Sequence, residues 1–453
     1  MRMRVAACLH MLFAALPACA AFELAAFRAD VTIPLGHACM GGGILPAQQI
    51  IDPLEALGVV ILGGKKPIVL VSVDWCEIRN DAYDRFRDVL ADAASTSRDR
   101  VLISCTHVHD APVVDFTAQR LLDEQGLHRS LCDAKFAEEC FQRTAAALHE
   151  AMNSAQPITH YGVGMAEIKE LASNRRCVMP DGTVNYHRTS STADPALRAT
   201  DAGENDPVLR TLSFWDGDKP VAALHAFAIH PMSYYGKGGV SADFPGIARR
   251  ARQAEMPDVF QIYFSGCSGD VVAGKWNDGA PENRQVLADK IHGGMKAAWD
   301  NMEKFPIETI AFRAAPMTLE PKSSAGYTEA ELRAQIGDAS LKTFKRNLAA
   351  MGLSWKMRHD AGQPIETPCV DFGKAKFLLM PAEAFVGYQL MAQHLDRNSF
   401  VFTAGYGECA PGYIPTAFSS SEGFNDAQDW CWVAPNVEEP MKRAMAEALG
   451  VAK

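Results

Sequence analysis

Four apolar runs in this chain are each followed at once by residues that could do chemistry. Run 101–105 leads into Thr106-His107-Val108-His109-Asp110, and run 221–229 into His230-Pro231-Met232-Ser233. Run 259–264 leads into Gly266-Cys267-Ser268-Gly269-Asp270, and run 377–380 into Pro381-Ala382-Glu383. Imidazoles and carboxylates are metal ligands and proton carriers. If the strand continued through His107 and His109, both rings would point to the same side. Two such imidazoles could share one metal ion, or one could bind it while the other meets the substrate. A hydrogen-bonded pair of loop histidines has the same spelling. Taken singly, His230 also fits a satisfied core histidine, and Glu383 a capping carboxylate. Their common position groups them, because ligands in open α/β sheets bind at the carboxyl ends of the strands.

Ordered elements must hold such residues. The run 68–73 is continuously β-branched and apolar, as in a strand buried on both faces. Asn80 can cap a helix reaching about Thr96, with Tyr83, Phe86, Val89, Leu90 and Ala93 on one face. The strand at 101–105 then completes a strand–helix–strand unit, which implies a parallel crossover. Further helical patterns lie at 136–152, 283–301 and 329–350, and a short apolar run at 401–403. The expected fold is α/β, with a mixed central β-sheet, flanking helices and a metal site at the strand carboxyl ends. The stretch 188–207 reads as a long surface loop and 317–330 as another connection. Neither resembles an interdomain linker, so residues 21–453 are expected to form a single catalytic domain.

Arg2 and Arg4, an apolar run from Val5 to Leu16 and Ala18-Cys19-Ala20 have the form of a secretory signal peptide over residues 1–20. Export to the medium or periplasm is therefore expected; lipidation at Cys19 is the alternative reading. The apolar run is too short for a membrane anchor, and no other segment is long and apolar enough to span a bilayer. The formal net charge of −10, with no basic patch, argues against a nucleic-acid partner. Hydrophobic and charged fractions of 48% and 22% are those of ordinary globular proteins. Of 12 cysteines, those beyond Cys8 and Cys19 would meet an oxidising compartment, where some could pair. Cys105 and Cys267, however, sit in apolar stretches suited to buried thiols. No C-x-x-C pair supports a thiolate zinc site. No clustered Asp/His set supports a two-metal phosphatase. No G-x-S-x-G follows a strand, which disfavours a serine triad.

Thr106-His107-Val108-His109, Ala228-Ile229-His230-Pro231-Met232-Ser233, Pro381-Ala382-Glu383 and Gly412-Tyr413-Ile414-Pro415-Thr416 resemble, in that order, motifs of the neutral/alkaline non-lysosomal ceramidases. Ala29-Asp30-Val31-Thr32-Ile33-Pro34-Leu35-Gly36, Met40-Gly41-Gly42-Gly43 and Ile51-Asp52-Pro53-Leu54 look like that family's early signature. The resemblance runs from about residue 27 to 435 and is to the catalytic domain, without the C-terminal immunoglobulin-like domain of longer members. It implies one zinc ion per chain, held by His107, His230, Glu383 and Tyr413. It further implies that His109 faces the substrate as a catalytic group, and that Arg175, Gly41, Gly42, Asp270 and Phe424 contact it. The activity implied is hydrolysis of an N-acyl amide bond by zinc-activated water. Ceramide or a related N-acyl lipid is the first candidate, a substrate compatible with transient contact at a membrane surface. The alternatives are a zinc hydrolase acting on another amide or an ester, and a non-catalytic secreted binding protein. Two departures bear on the substrate. Val272-Ala273 stands where the family carries Ser-Pro, and Phe424 stands in place of a tyrosine.

Overall fold

The computed structural model describes residues 22–451, so the leader and Cys19 lie outside the described residues. Three mixed sheets carry the fold, where one central sheet was expected. The first contains β1 (Phe22–Asp30), β2 (Glu55–Leu62), β3 (Ile68–Val73), β4 (Val101–Cys105) and β5 (Gln156–Ile158), ordered β4-β3-β2-β1-β5. The second contains β6 (His160–Glu167), β7 (Val208–Asp216), β8 (Lys219–Phe227), β9 (Phe260–Ser265) and β10 (Glu303–Pro306), ordered β9-β8-β7-β6-β10. The third is β11 (Ala311–Met317), β12 (Ile365–Asp371), β13 (Ala375–Leu379) and β14 (Phe400–Ala404), in that order.

Local pairing explains the division. Each fully apolar strand folds back on its predecessor before it meets a distant one. β7 and β8 turn through Gly217-Asp218, with Gly217 at φ 57°, a two-residue connection suited to a twisted hairpin. β2–β3 and β12–β13 form antiparallel pairs in the same way. Every sheet then ends in a single parallel edge pair: β3/β4, β8/β9 and β13/β14. One crossover helix joins each pair: α1 (Asn80–Ala93), α2 (Asp243–Glu255) and α3 (Val386–Leu395). The unit expected around α1 thus occurs three times, once per sheet.

The sheets share a core in which Leu70, Leu102, Leu224, Ile262, Phe377 and Phe402 are all buried. Phe377 stacks on Phe402 at 5.2 Å, and Phe264 meets both edge-on at 5.3 and 5.9 Å. At their carboxyl ends the parallel edges hydrogen-bond to one another. Ser104 Oγ donates to the Gly405 carbonyl (2.8 Å), Ser265 Oγ to Thr106 (2.7 Å) and the Gly405 amide to Ser265 (2.8 Å). Buried serines on otherwise apolar strands are thereby satisfied, and three strand ends are pinned to one place.

Several expectations are corrected. Asn80 does not cap α1: it has φ 51°, and its amide donates to Asp115 and Ser354 at 2.8 Å each. The pattern at 329–350 is two helices, Glu329–Gly337 and Thr343–Asp360. Between them the Asp338 carboxylate accepts the Ser340 amide and hydroxyl at 2.8 and 2.7 Å, a local bond that competes with helix. The stretch 188–207 does run over the surface, but it carries a helix at Pro195–Ala199 and is anchored by buried Arg188, Thr192 and Asp206. The described cysteines are all buried free thiols, Cys105 and Cys267 among them.

Candidate metal centre

The three parallel edges deliver His107, His230 and Glu383 to one point. His107 Nε2 lies 3.2 Å, and His230 Nε2 3.1 Å, from the same oxygen, Oε2 of Glu383. These atoms could jointly hold a metal ion. His107 is not on a continued strand, as the H-x-H reading supposed. The strand stops at Cys105, and His107 takes the left-handed conformation (φ 65°) with its ring stacked on Tyr406 at 4.3 Å. The turn still brings His109 Nε2 to 3.3 Å from His107 Nε2. Ala382 (φ 48°) makes the equivalent turn ahead of Glu383. Non-glycine residues in this region cost energy and gather at functional sites.

Glu383 and Tyr413 are direct partners in a short parallel pair, Glu383–Ala384 with Tyr413–Ile414. The tyrosine therefore reaches the site by backbone pairing. The loop 266–270 lies against this pair. A Cβ on Gly269 would sit 2.2 Å from the Glu383 carbonyl oxygen. Gly269→Ala should therefore displace Glu383 and lower metal retention while the protein stays folded, which metal analysis alongside circular dichroism would read.

The donor set fits zinc on its own terms. His107 Nδ1 donates to the Cys76 carbonyl (2.9 Å) and His230 Nδ1 to the Ser268 carbonyl (2.6 Å). Each bond turns Nε2 toward Glu383, the second-shell pattern of metal-ligating histidines. His230 Nε2 and Glu383 Oε2 are buried with no hydrogen-bond partner among the described residues. Such orphaned atoms are costly unless a cation joins them. Nitrogen and oxygen donors of this type suit zinc.

Electrostatics agree. Burial favours a neutral Glu383, but the His107 charge overrides it and holds the carboxyl well below its usual range. Burial likewise lowers His107, yet Glu383 and then Glu77 carry it above its ordinary value. His230 is pushed down to about 4, by burial first and Arg175 second. His109 is held well below its usual value by burial, then by His107 and His230. Both are neutral imidazoles at pH 7.

The cluster opens on a cavity of about 320 Å³ through His107 and Glu383, with His230 behind them. His107, His109, Arg175, Glu383 and Tyr413 line it together. Arg175 follows a two-residue strand, Ser173–Asn174, paired with Val271–Val272. Its Nε donates to Gly269 O (3.1 Å) and its Nη2 to Tyr413 OH (3.3 Å).

Other expected contacts lie behind the wall. Met40, not Gly41 or Gly42, reaches the cavity. Gly41 (φ 60°) and Gly42 (φ 83°) form the turn that presents it, held by Asn347 Nδ2 on the Gly41 carbonyl (2.9 Å). Asp270 is a bracket: its carboxylate accepts Asn174 Nδ2 (2.7 Å) and the Val386 amide (2.8 Å), and its carbonyl accepts the Arg175 amide (2.7 Å). Phe424 is buried behind Tyr413 and Phe385, at ring distances of 5.7 and 4.8 Å. Val272 is fully buried in its strand pair. The hydroxyls absent at 272 and 424 therefore fall outside the cavity lining. Residues not singled out from sequence do line it: Cys76, which follows β3 as His107 follows β4, and Met232, Tyr235 and Trp430. Trp430 is fixed by its indole N–H on the buried Glu77 (2.9 Å).

No family model matches the chain, and no curated protein does. Solved structures do match. A ceramidase complexed with C2 superposes with a TM-score of 0.67 at 15% identity, over 95% of this chain and 76% of that one. A neutral ceramidase from Pseudomonas aeruginosa gives 0.66 at 15% identity, over 96% and 75%. The resemblance carried by short motifs thus extends, at the level of the fold, to nearly the whole chain: it has the fold of the neutral ceramidases.

Proposed function

We propose that this protein is a zinc-dependent amidohydrolase that cleaves an N-acyl amide bond, with ceramide or a related N-acyl lipid as the first candidate. The observation that carries the reading is the convergence of His107, His230 and Glu383, with unpartnered buried ligand atoms, beside a cavity that His107 and Glu383 line. His107, His230, Glu383 and Tyr413 would hold the ion. When bound, zinc polarises a scissile carbonyl and brings a water's pKa near neutrality.

The chain's own residues supply the rest. His109 is neutral at pH 7 and so can take a proton at Nε2 and return it to the leaving amine. Unlike His107 and His230, its Nδ1 has no partner, so its ring is not locked as theirs are. The Arg175 guanidinium stands beside Tyr413, placed to meet the polar part of the substrate. Met40, Met232, Tyr235, Phe344, Leu348 and Trp430 form an apolar wall that suits an acyl chain and excludes water. Among the described residues no helix is long and apolar enough to cross a membrane. Export, read from residues 1–20, would place the enzyme where external N-acyl lipids are met, and would confine any membrane contact to the surface.

The test is a screen of stripped and zinc-restored protein on N-acyl sphingoid bases, N-acyl amino acids, N-acyl amines and esters. Amide turnover should vanish on zinc removal and return with zinc. Cleavage of esters alone would refute the reaction class. Ligand binding without any turnover would make the chain a binding protein.

A further inference from the structure

An arginine with no acid partner opens on this cavity. Among the described residues no carboxylate lies within ion-pair distance of the Arg175 guanidinium, whereas Arg176, its neighbour, is paired with Glu422 through two bonds of 2.8 and 2.6 Å. Arg175 is nonetheless fixed. Its Nε–H is used on Gly269 and one Nη2–H on Tyr413, and its carbon lies 5.8 Å over the Tyr413 ring. These bonds occupy the inner side of the guanidinium. Nη1 and the remaining Nη2 hydrogen form an outward fork with no acceptor among the described residues. The fork belongs to a residue that lines the cavity together with His107, His109 and Tyr413.

The two cavity acids cannot serve it. Glu383 is engaged by His107 and His230, and Asp429 by Lys345. A planar fork held rigid by its inner side matches a carboxylate, which it can grip with two parallel bonds. A neutral hydroxylated head group offers no such paired, charged acceptor.

We propose that the outward fork of Arg175 receives a carboxylate on the substrate, so that the preferred substrates are acidic N-acyl amides, such as N-acyl amino acids, and neutral amides are secondary. This rests on the amidohydrolase reading and moves its first candidate from neutral ceramide to an acidic N-acyl amide. The acyl chain would lie along Met40, Phe344 and Trp430, and the amide would rest against His109 and the metal-ligand cluster on the cavity side.

The test compares N-lauroyl-alanine with N-ethyl lauramide, which differ only in the carboxylate. Calorimetric titration of metal-free protein reads binding without turnover, and kcat/KM of zinc-loaded protein reads specificity. Both are measured for wild type, Arg175→Gln and Arg175→Lys, with metal content as a control. Wild type should prefer the acid about tenfold or more in both readouts, as expected for a charge-assisted pair. Arg175→Gln should abolish the preference while keeping the metal, and Arg175→Lys should restore part of it. Equal binding of the two ligands by wild type, or a preference that survives Arg175→Gln, would overturn the proposal. Turnover of neutral amides or ceramide without acid preference would overturn it too, leaving the amidohydrolase reading intact. A binding preference with no amide cleaved would do the reverse.

Discussion

Replacing Glu383 with alanine should remove the metal and the amide turnover together. One oxygen of this side chain sits within 3.2 Å of both His107 and His230 and, among the described residues, has no hydrogen-bond partner of its own. It carries the only negative charge of the implied ligand set unless Tyr413 ionises, so its loss leaves two imidazoles to hold a divalent ion in a buried site. Outer-shell partners of metal ligands are typically worth roughly 10–100-fold in affinity or activity. A direct ligand should cost more, and zinc content should fall below detection after dialysis. Glu383→Gln keeps the shape and loses the charge, so it should fall between the alanine variant and wild type. Folding is controlled by thermal melting, because burial of the site couples it to the core. Because Glu383 raises the His107 pKa, a proton competes with zinc there; retention in wild type should weaken as pH falls through that pKa. Full metal content in Glu383→Ala would remove this residue from the site.

His109→Ala should separate turnover from metal binding. Its Nε2 faces the cluster, but its Nδ1 lacks the backbone acceptor that pins His107 and His230. Zinc content should therefore stay near wild type while kcat falls by about 10²–10⁴-fold, the usual worth of a positioned general acid–base group. KM should change little. Burial, then His107 and His230, lower the His109 pKa, so the neutral form persists through neutral pH and is lost only well below pH 6.5. The acidic limb of kcat/KM should lie in that region for wild type and be missing in the variant. Metal lost with His109 would make it a ligand; unchanged kcat would make it a bystander.

The positions of His107, His230 and Glu383 were legible because each directly follows an apolar strand, and strand ends are where such sheets build sites. The division into three sheets was not. It depends on hairpin partners such as β7 and β12, whose mixed composition carries little periodic signal, while the buried parallel strands stand out. Tyr413 could not be found from periodicity, since its place is set by pairing with Glu383 across thirty residues of intervening helix and strand. Gly42, Asp270 and Phe424 sit in motifs beside the site, but their side chains or backbones support it from behind. A short motif records that a segment is near the chemistry; which of its residues faces the cavity is decided by turns such as the left-handed ones at His107 and Ala382. Cys76 and Trp430 were missed for the same reason, as nothing local distinguishes a cavity wall from core.

Zinc stoichiometry and amide turnover, measured on the same preparations of wild type and His107→Ala, test the central claim most directly. The account predicts about one zinc per wild-type chain, amide cleavage that disappears with chelation and returns with zinc, and neither metal nor cleavage in His107→Ala. Amide cleavage that persists in fully zinc-free protein, or a His107→Ala variant that keeps both metal and activity, would contradict it.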